Sequence, residues 1–349
     1  MINAYGFAVL TEDSIAELGK QDQTLRITNQ WMYHSRLYKA ANFCVKHPNI
    51  NLVQLNSFGC GVDAVTIDQV QEILQAGNKI YTLLKIDEVN NLGAARIRIR
   101  SLIAAIKMQN QQKCTNTKSY NFIRPEFTEE MKNQKYTLLS PNMSPFHFDY
   151  LEAVMQGAGY NAVLMTNNTQ EAKDKGIKFV NNDVCYPATI ITGQIIDEVL
   201  SGKYDTNKLA VVMSQTGGGC RASNYVGFIR KALIDAGYSH IPVLSLNFNK
   251  METNSGFKVS PDIIAKMSMA SFYGDILMKT VLHTRPYEKN KGETNKLYKK
   301  WHDILYEQLK EPKLKFRRFK KNCKQIIRDF DAIEVYEDLE KPKMKLKSG

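Results

Sequence analysis

Leu209-Ala210-Val211-Val212-Met213 runs straight into Ser214-Gln215-Thr216-Gly217-Gly218-Gly219-Cys220-Arg221-Ala222, and residues 225–237 then carry apolar side chains at helical spacing and end on glycine. An apolar run of that length reads as a buried strand and the periodic segment as a helix, so the whole is strand, glycine turn, helix. In an open α/β sheet such a turn lies at the carboxyl end of the strand, where ligands bind, and its glycines let backbone approach closely. Cys220 would stand at the helix mouth, where dipole and unpaired N–H groups favour the thiolate. The stretch matches neither G-x-x-x-x-G-K-[ST] nor G-x-G-x-x-G, which argues against a nucleotide loop. Its plain alternative is a buried packing cysteine.

The same arrangement occurs twice more. Residues 51–56 read as a strand, Ser57-Phe58-Gly59-Cys60-Gly61 as a glycine turn and 63–75 as a helix. Asn181-Asn182-Asp183-Val184-Cys185-Tyr186-Pro187 leads into a helix over 188–200, with Pro187 in the first turn, where a helix tolerates proline. Cys44, Cys114 and Cys323 fall in a helix, a polar linker and the tail, with no such context. Three thiols at loop tips suit a soft metal centre, zinc or iron–sulfur, and leave one metal position open. A cysteine nucleophile would need a histidine; of the six, only His147 lies in a strand-end region, which makes the Cys–His hydrolase the weaker reading.

At 349 residues the chain has room for two or three domains. Six cysteines without a C-x-x-C pair exclude a disulfide scaffold, a zinc ribbon and a thioredoxin motif. No signal sequence opens the chain and no apolar run reaches membrane-spanning length, so a cytoplasmic protein without a membrane partner is expected. The net charge of +12 concentrates in residues 313–321 and 341–347, which reads as a solvated helix face and a frayed tail rather than a nucleic-acid patch. No nucleic-acid partner is expected; coenzyme A thioesters and acidic protein faces remain compatible with the charge.

Taken in order, helix 30–46, strand 80–86 and a helix carrying Arg96, Arg98 and Arg100 complete a first α/β domain over 1–110, followed by a linker over 111–134. A second α/β domain over 135–290 has strands at 136–139, 162–166, 209–213 and 242–246, with Phe179-Val180 after a short helix over 170–176. Residues 291–349 form a helical, basic extension, partly exposed from Glu311 onward. The fold expected is α/β: two Rossmann-like or flavodoxin-like parallel-sheet domains facing a cleft, plus C-terminal helices.

Asn181 to Pro187, Met213 to Ala222, Gln54 to Gly61 and Leu84-Lys85-Ile86-Asp87-Glu88 with Gly93-Ala94-Ala95-Arg96-Ile97-Arg98 closely resemble the C-terminal part of the large acyl-CoA dehydratase activase proteins, of the 2-hydroxyacyl-CoA dehydratase superfamily of anaerobic bacteria. The resemblance implies a [4Fe-4S] cluster, single or half of a double cubane, with Cys60, Cys185 and Cys220 at the ligand positions. Gly59, Gly61, Gly217, Gly218 and Gly219 would let backbone N–H groups approach its sulfurs. It further implies an ATP-dependent activator domain or subunit as electron donor, an acyl-CoA substrate, radical dehydration of a 2-hydroxyacyl-CoA, and a homodimer or a partner subunit. This sequence lacks the ATPase modules of that family, so the activator would be a separate polypeptide or the chain a fragment of a larger protein. A non-catalytic electron-transfer or scaffold module and a cluster-free binder of CoA esters or other anions are the other readings.

Overall fold

The computed structural model describes the chain apart from residues 22–23, 27–28, 30, 58–62, 87–91, 113–119, 182–183, 216–223, 247–251, 314 and 337–349. In chain order its elements are α1 (Asp13–Ala16), α2 (Met32–Lys46), β1 (Val53–Ser57), α3 (Asp63–Ala76), β2 (Thr82–Ile86), α4 (Leu92–Gln112), α5 (Glu129–Asn133), β3 (Thr137–Pro141), α6 (Phe148–Gly157), β4 (Asn161–Met165), α7 (Gln170–Phe179), α8 (Tyr186–Leu200), β5 (Leu209–Ser214), α9 (Tyr225–Asp235), β6 (Val243–Leu246), α10 (Pro261–Thr284), α11 (Glu293–Lys310) and α12 (Phe316–Asp331). The fold is α/β with C-terminal helices.

One local pattern recurs: strand, helix, parallel strand. β1 pairs with β2 across α3, β3 with β4 across α6, and β5 with β6 across α9. The register runs from Val53 opposite Thr82 to Ser57 opposite Ile86, and from Val211 opposite Val243 to Ser214 opposite Leu246. Parallel pairing puts both carboxyl ends of a pair on one edge, which is where an α/β sheet presents its loops. Leu209 to Met213 are all buried, as a strand covered on both faces requires. Helix starts follow local chemistry. Thr169 caps α7 by accepting from the Ala172 amide at 3.2 Å, and Ser260 caps α10 ahead of Pro261. Phe179 belongs to α7, so no strand occupies 179–180.

The chain forms two compact units, each discontinuous: Met1–Thr128 with Asn167–Ser255, and Glu129–Thr166 with Gly256–Gly349. That grouping differs from domains over 1–110 and 135–290. Part of the expected linker is helical, since α4 runs to Gln112 and α5 spans Glu129–Asn133. The physical reason lies in long-range polar ties within the first unit. Arg26 Nη1 donates to the Gly227 carbonyl at 3.0 Å, and Arg230 Nη1 donates to the Arg26 carbonyl at 2.6 Å.

In the first unit, Val70, Ile73 and Leu74 of α3 pack with Tyr38, Ala41 and Cys44 of α2 and with Leu52. Helices α7 and α8 meet backbone to backbone: a Cβ on Gly193 would lie 2.0 Å from the Ala172 carbonyl oxygen, and one on Gly176 would lie 2.1 Å from that of Thr189. In the second unit, α6, α10, α11 and α12 share a core through Tyr150, Tyr273, Leu277, Trp301, Leu305 and Phe330. One side of α12 is thus packed into this core; Ile326 and Phe330 are 0% and 2% exposed.

Candidate functional site

Cys185 is the N-cap of α8, with extended backbone (φ −65°, ψ 149°) and Pro187 in the first turn. Its carbonyl accepts from the Ala188 and Thr189 amides at 3.0 and 3.2 Å, so the helix begins at this residue. The side chain is half-buried. Close packing of α7 on α8 at Gly176 and Gly193 holds this helix, and hence its first residue, in place. Cys185 Sγ lies 3.6 Å from the Tyr225 hydroxyl, within hydrogen-bond range of sulfur. Tyr225 is the first residue of α9 and is buried. Just upstream of Cys185, Asn181 Nδ2 donates to the Ala64 carbonyl at 3.2 Å, in the first turn of α3.

These contacts bring together three stretches far apart in sequence. The residue that follows the Cys220 segment in α9 touches Cys185, and the first turn that follows the Cys60 segment in α3 is tied to Asn181. All belong to the first unit. Cys60, Gly59, Gly61, Gly217, Gly218, Gly219 and Cys220 themselves lie outside the described residues, as does Cys114. Among the described residues, no three His, Cys, Asp or Glu side chains come together as a metal site.

Around those segments several buried polar atoms have no hydrogen-bond partner among the described residues. Gln215, 1% exposed, has its Oε1 engaged by Ser245 Oγ at 2.5 Å and its Nε2 unpartnered. Asn224, 2% exposed, is the N-cap of α9 and leaves Nδ2 unpartnered; Asn56 in β1 leaves Oδ1 unpartnered. Buried donors normally find acceptors. These two amide donors flank residues 216–223 on either side. Asp68, on α3, has its carboxyl raised by burial, against which the Arg26 and Lys231 charges and a hydrogen bond from Asn181 pull.

The other cysteines sit differently. Cys44 is buried between helices and its thiol is pushed up to about 11 by loss of solvent, so it stays protonated and inert. Cys323 lies on the packed side of α12, and burial raises it too. Both nitrogens of His147 are engaged within the second unit, Nδ1 at 2.7 Å from Ser144 Oγ and Nε2 at 3.2 Å from Asp275. Arg96, Arg98 and Arg100 are all exposed on α4, where Arg100 Nε donates to the Tyr5 hydroxyl. Sequence spacing pointed to Cys185 through Pro187, whereas Tyr225, Asn224 and Gln215 carried no signal beyond standing next to a cysteine turn.

Fold and site together define an α/β protein in which Cys185 opens a helix and Cys60 and Cys220 lie in the segments joining β1 to α3 and β5 to α9. Compared with models of known families, with characterised proteins and with solved structures, the chain has no match. No described helix is long and apolar enough to cross a membrane.

Proposed function

We propose that this chain is an iron–sulfur component of the 2-hydroxyacyl-CoA dehydratase type, with Cys60, Cys185 and Cys220 as ligands of a [4Fe-4S] cluster. The observation that supports it is that Tyr225, the first residue of α9 after the Cys220 segment, meets Cys185 Sγ at 3.6 Å, and that Ala64, in the first turn of α3 after the Cys60 segment, is bonded to Asn181 at 3.2 Å. Chain length alone keeps Cys220 within about 18 Å of Tyr225 and Cys60 within about 14 Å of Ala64, at up to about 3.6 Å per residue. Thiolates are soft ligands suited to iron–sulfur centres.

When bound, the cluster would supply one-electron chemistry at low potential, with the electron delivered by a separate ATP-dependent activator. The chain's own part is to hold and tune. Cys185 is fixed by the α7–α8 contact, Tyr225 OH stands beside its sulfur, and the amides of Gln215 and Asn224, unpartnered among the described residues, have donors to offer to cluster sulfurs. A cluster-free binder of a CoA ester or another anion is the second reading, favoured by those same two donors.

Anaerobic reconstitution with iron and sulfide, followed by analysis of both, decides between them. Cys60→Ser, Cys185→Ser and Cys220→Ser should each lose most of the iron, while Cys44→Ser and Cys323→Ser keep it. Wild-type protein that takes up no iron would leave the anion-binding reading. If iron binds, a change in the cluster's spectrum on adding an acyl-CoA distinguishes an enzyme component from an electron-transfer module.

A further inference from the structure

Helix α12 has two faces of opposite character. At about 100° per residue, Phe319, Asn322, Cys323, Ile326 and Phe330 fall together on the side packed into the second unit's core. Arg317, Lys320, Lys321, Lys324 and Arg328 fall within an arc of about 100° on the opposite side, and all five are exposed. None of the five pairs with an acidic group among the described residues; Arg318, at the border, takes the Glu311 carboxylate at 3.0 and 2.8 Å. Between Pro312 and Arg328 the sequence carries Lys313, Lys315, Arg317, Arg318, Lys320, Lys321, Lys324 and Arg328, and no Asp or Glu. A merely solvated helix face alternates sign at i,i+4, because like charges at that spacing repel and weaken the helix. Here 317 and 321, 320 and 324, and 324 and 328 are all like pairs.

The row advances about 4.5 to 6 Å per step, three or four residues at a rise of about 1.5 Å. A line of charge matches a linear polyanion better than a point anion. The sequence continues the theme with Lys341, Lys343, Lys345 and Lys347. Beside the row stand two exposed rings, Phe316 (56%) and Phe272 (59%), each in ring contact with Phe319, at 5.7 and 6.3 Å. Lys320 Nζ lies 4.8 Å from the centre of the Phe316 ring. Exposed rings flanked by cations are platforms for unpaired bases. Membrane insertion fits less well, since of the apolar residues of α12 only Phe316 and Ile327 are exposed, with Phe272 beside them, while Phe319, Cys323, Ile326 and Phe330 pack into the core.

We propose that the outer face of α12 is a docking surface for single-stranded nucleic acid, with phosphates along Arg317, Lys320, Lys321, Lys324 and Arg328 and a base on Phe316. This reverses the sequence expectation of no nucleic-acid partner, and it stands independently of the iron–sulfur reading.

The test is fluorescence anisotropy of the full chain with a labelled single-stranded oligonucleotide of about 16 nucleotides. Binding should be measurable near 50 mM salt and fall steeply with salt, with a log–log slope of about −3.5 for five contacts. Lys320→Gln/Lys324→Gln should bind at least roughly tenfold more weakly and reduce that slope by about 1.4. Phe316→Ala should weaken binding about fivefold or more at unchanged slope. Lys178→Gln/Lys208→Gln, exposed cations of the first unit, should change nothing. All these positions are exposed, and circular dichroism would check that each variant folds. Absent binding, a double variant indistinguishable from wild type, or displacement by polyglutamate or anionic vesicles at equal charge concentration overturns the proposal.

Discussion

Arg230 and Glu252 are 3% and 6% exposed and form a two-point ion pair, Nη1 to Oε1 at 2.8 Å and Nη2 to Oε2 at 2.6 Å. Burial alone would raise the Glu252 carboxyl; the hydrogen bonds and charge of Arg230, joined by Arg124, outweigh it and hold the group below its usual value of 4.5. Removing one partner strands the other without solvent. Arg230→Gln is therefore expected to lower stability in urea by about 3–5 kcal/mol. Because the folded value is depressed, this contribution is present above about pH 4.5 and is lost as pH falls through the lower folded value, so the variant should show a flatter acid limb. His302 has the opposite sign. A hydrogen bond with Asp149 raises it above 6.5 against the burial that lowers it, with Asp303 adding to the rise. Its contribution is complete below about pH 6.5 and fades as pH rises through the folded value, so thermal melts of His302→Gln should lose that drift. None of these partners was legible in the sequence. Arg230 and Glu252 stand 22 residues apart, and His302 and Asp149 stand 153 apart. Pattern reading sees neighbours along the chain, and these pairs form only when distant elements close.

At the level of elements the sequence spoke more clearly, because strand and helix periods are local properties. The run Leu209 to Met213 became β5, extended by Ser214, and the helix predicted over 63–75 became Asp63–Ala76. Charge hid the packing of α12: Phe319, Ile326 and Phe330 recur at helical spacing, yet the Lys and Arg between them point only to a solvated helix face on a partly exposed extension. Phe330→Ala should accordingly destabilise the protein by about 3–5 kcal/mol, measured by chemical denaturation, where a frayed end would give almost nothing. The α7–α8 contact was equally hidden, since glycine in a helix carries no periodic signal. At Gly193 a methyl would collide with the Ala172 carbonyl, and backbone cannot swing aside as a side-chain end can. Gly193→Ala is expected to cost about 1–3 kcal/mol or more. If the iron–sulfur proposal holds, it should also reduce iron retention, since α8 carries Cys185.

For the molecule as a whole, the absence of a G-x-x-x-x-G-K-[ST] stretch predicts that the purified chain does not hydrolyse ATP, as a phosphate-release assay would show. Turnover abolished by substitutions at Gly217, Gly218 or Gly219 would restore the nucleotide-loop reading. The α/β class was legible from the order of strands and helices. The grouping into units was not, because a polar stretch such as 111–134 looks like a boundary whatever its flanks pack against, and the first unit takes up Asn167–Ser255 as well. That interleaving also sets a clock. Arg26 is 3% exposed in the finished protein; it meets Gln69 and Glu72 43 and 46 residues on, but its other two partners, Gly227 and Arg230, lie 201 and 204 residues further along. At about 5–20 residues per second on the ribosome, some 10–40 seconds separate the synthesis of Arg26 from that of these two. Throughout that wait the nascent first unit lacks the bonds of Arg26 to Gly227 and Arg230, so chaperone occupancy on stalled chains should persist until residues beyond 230 have emerged, and a fragment ending at Thr128 should be less stable than the same residues in the full chain.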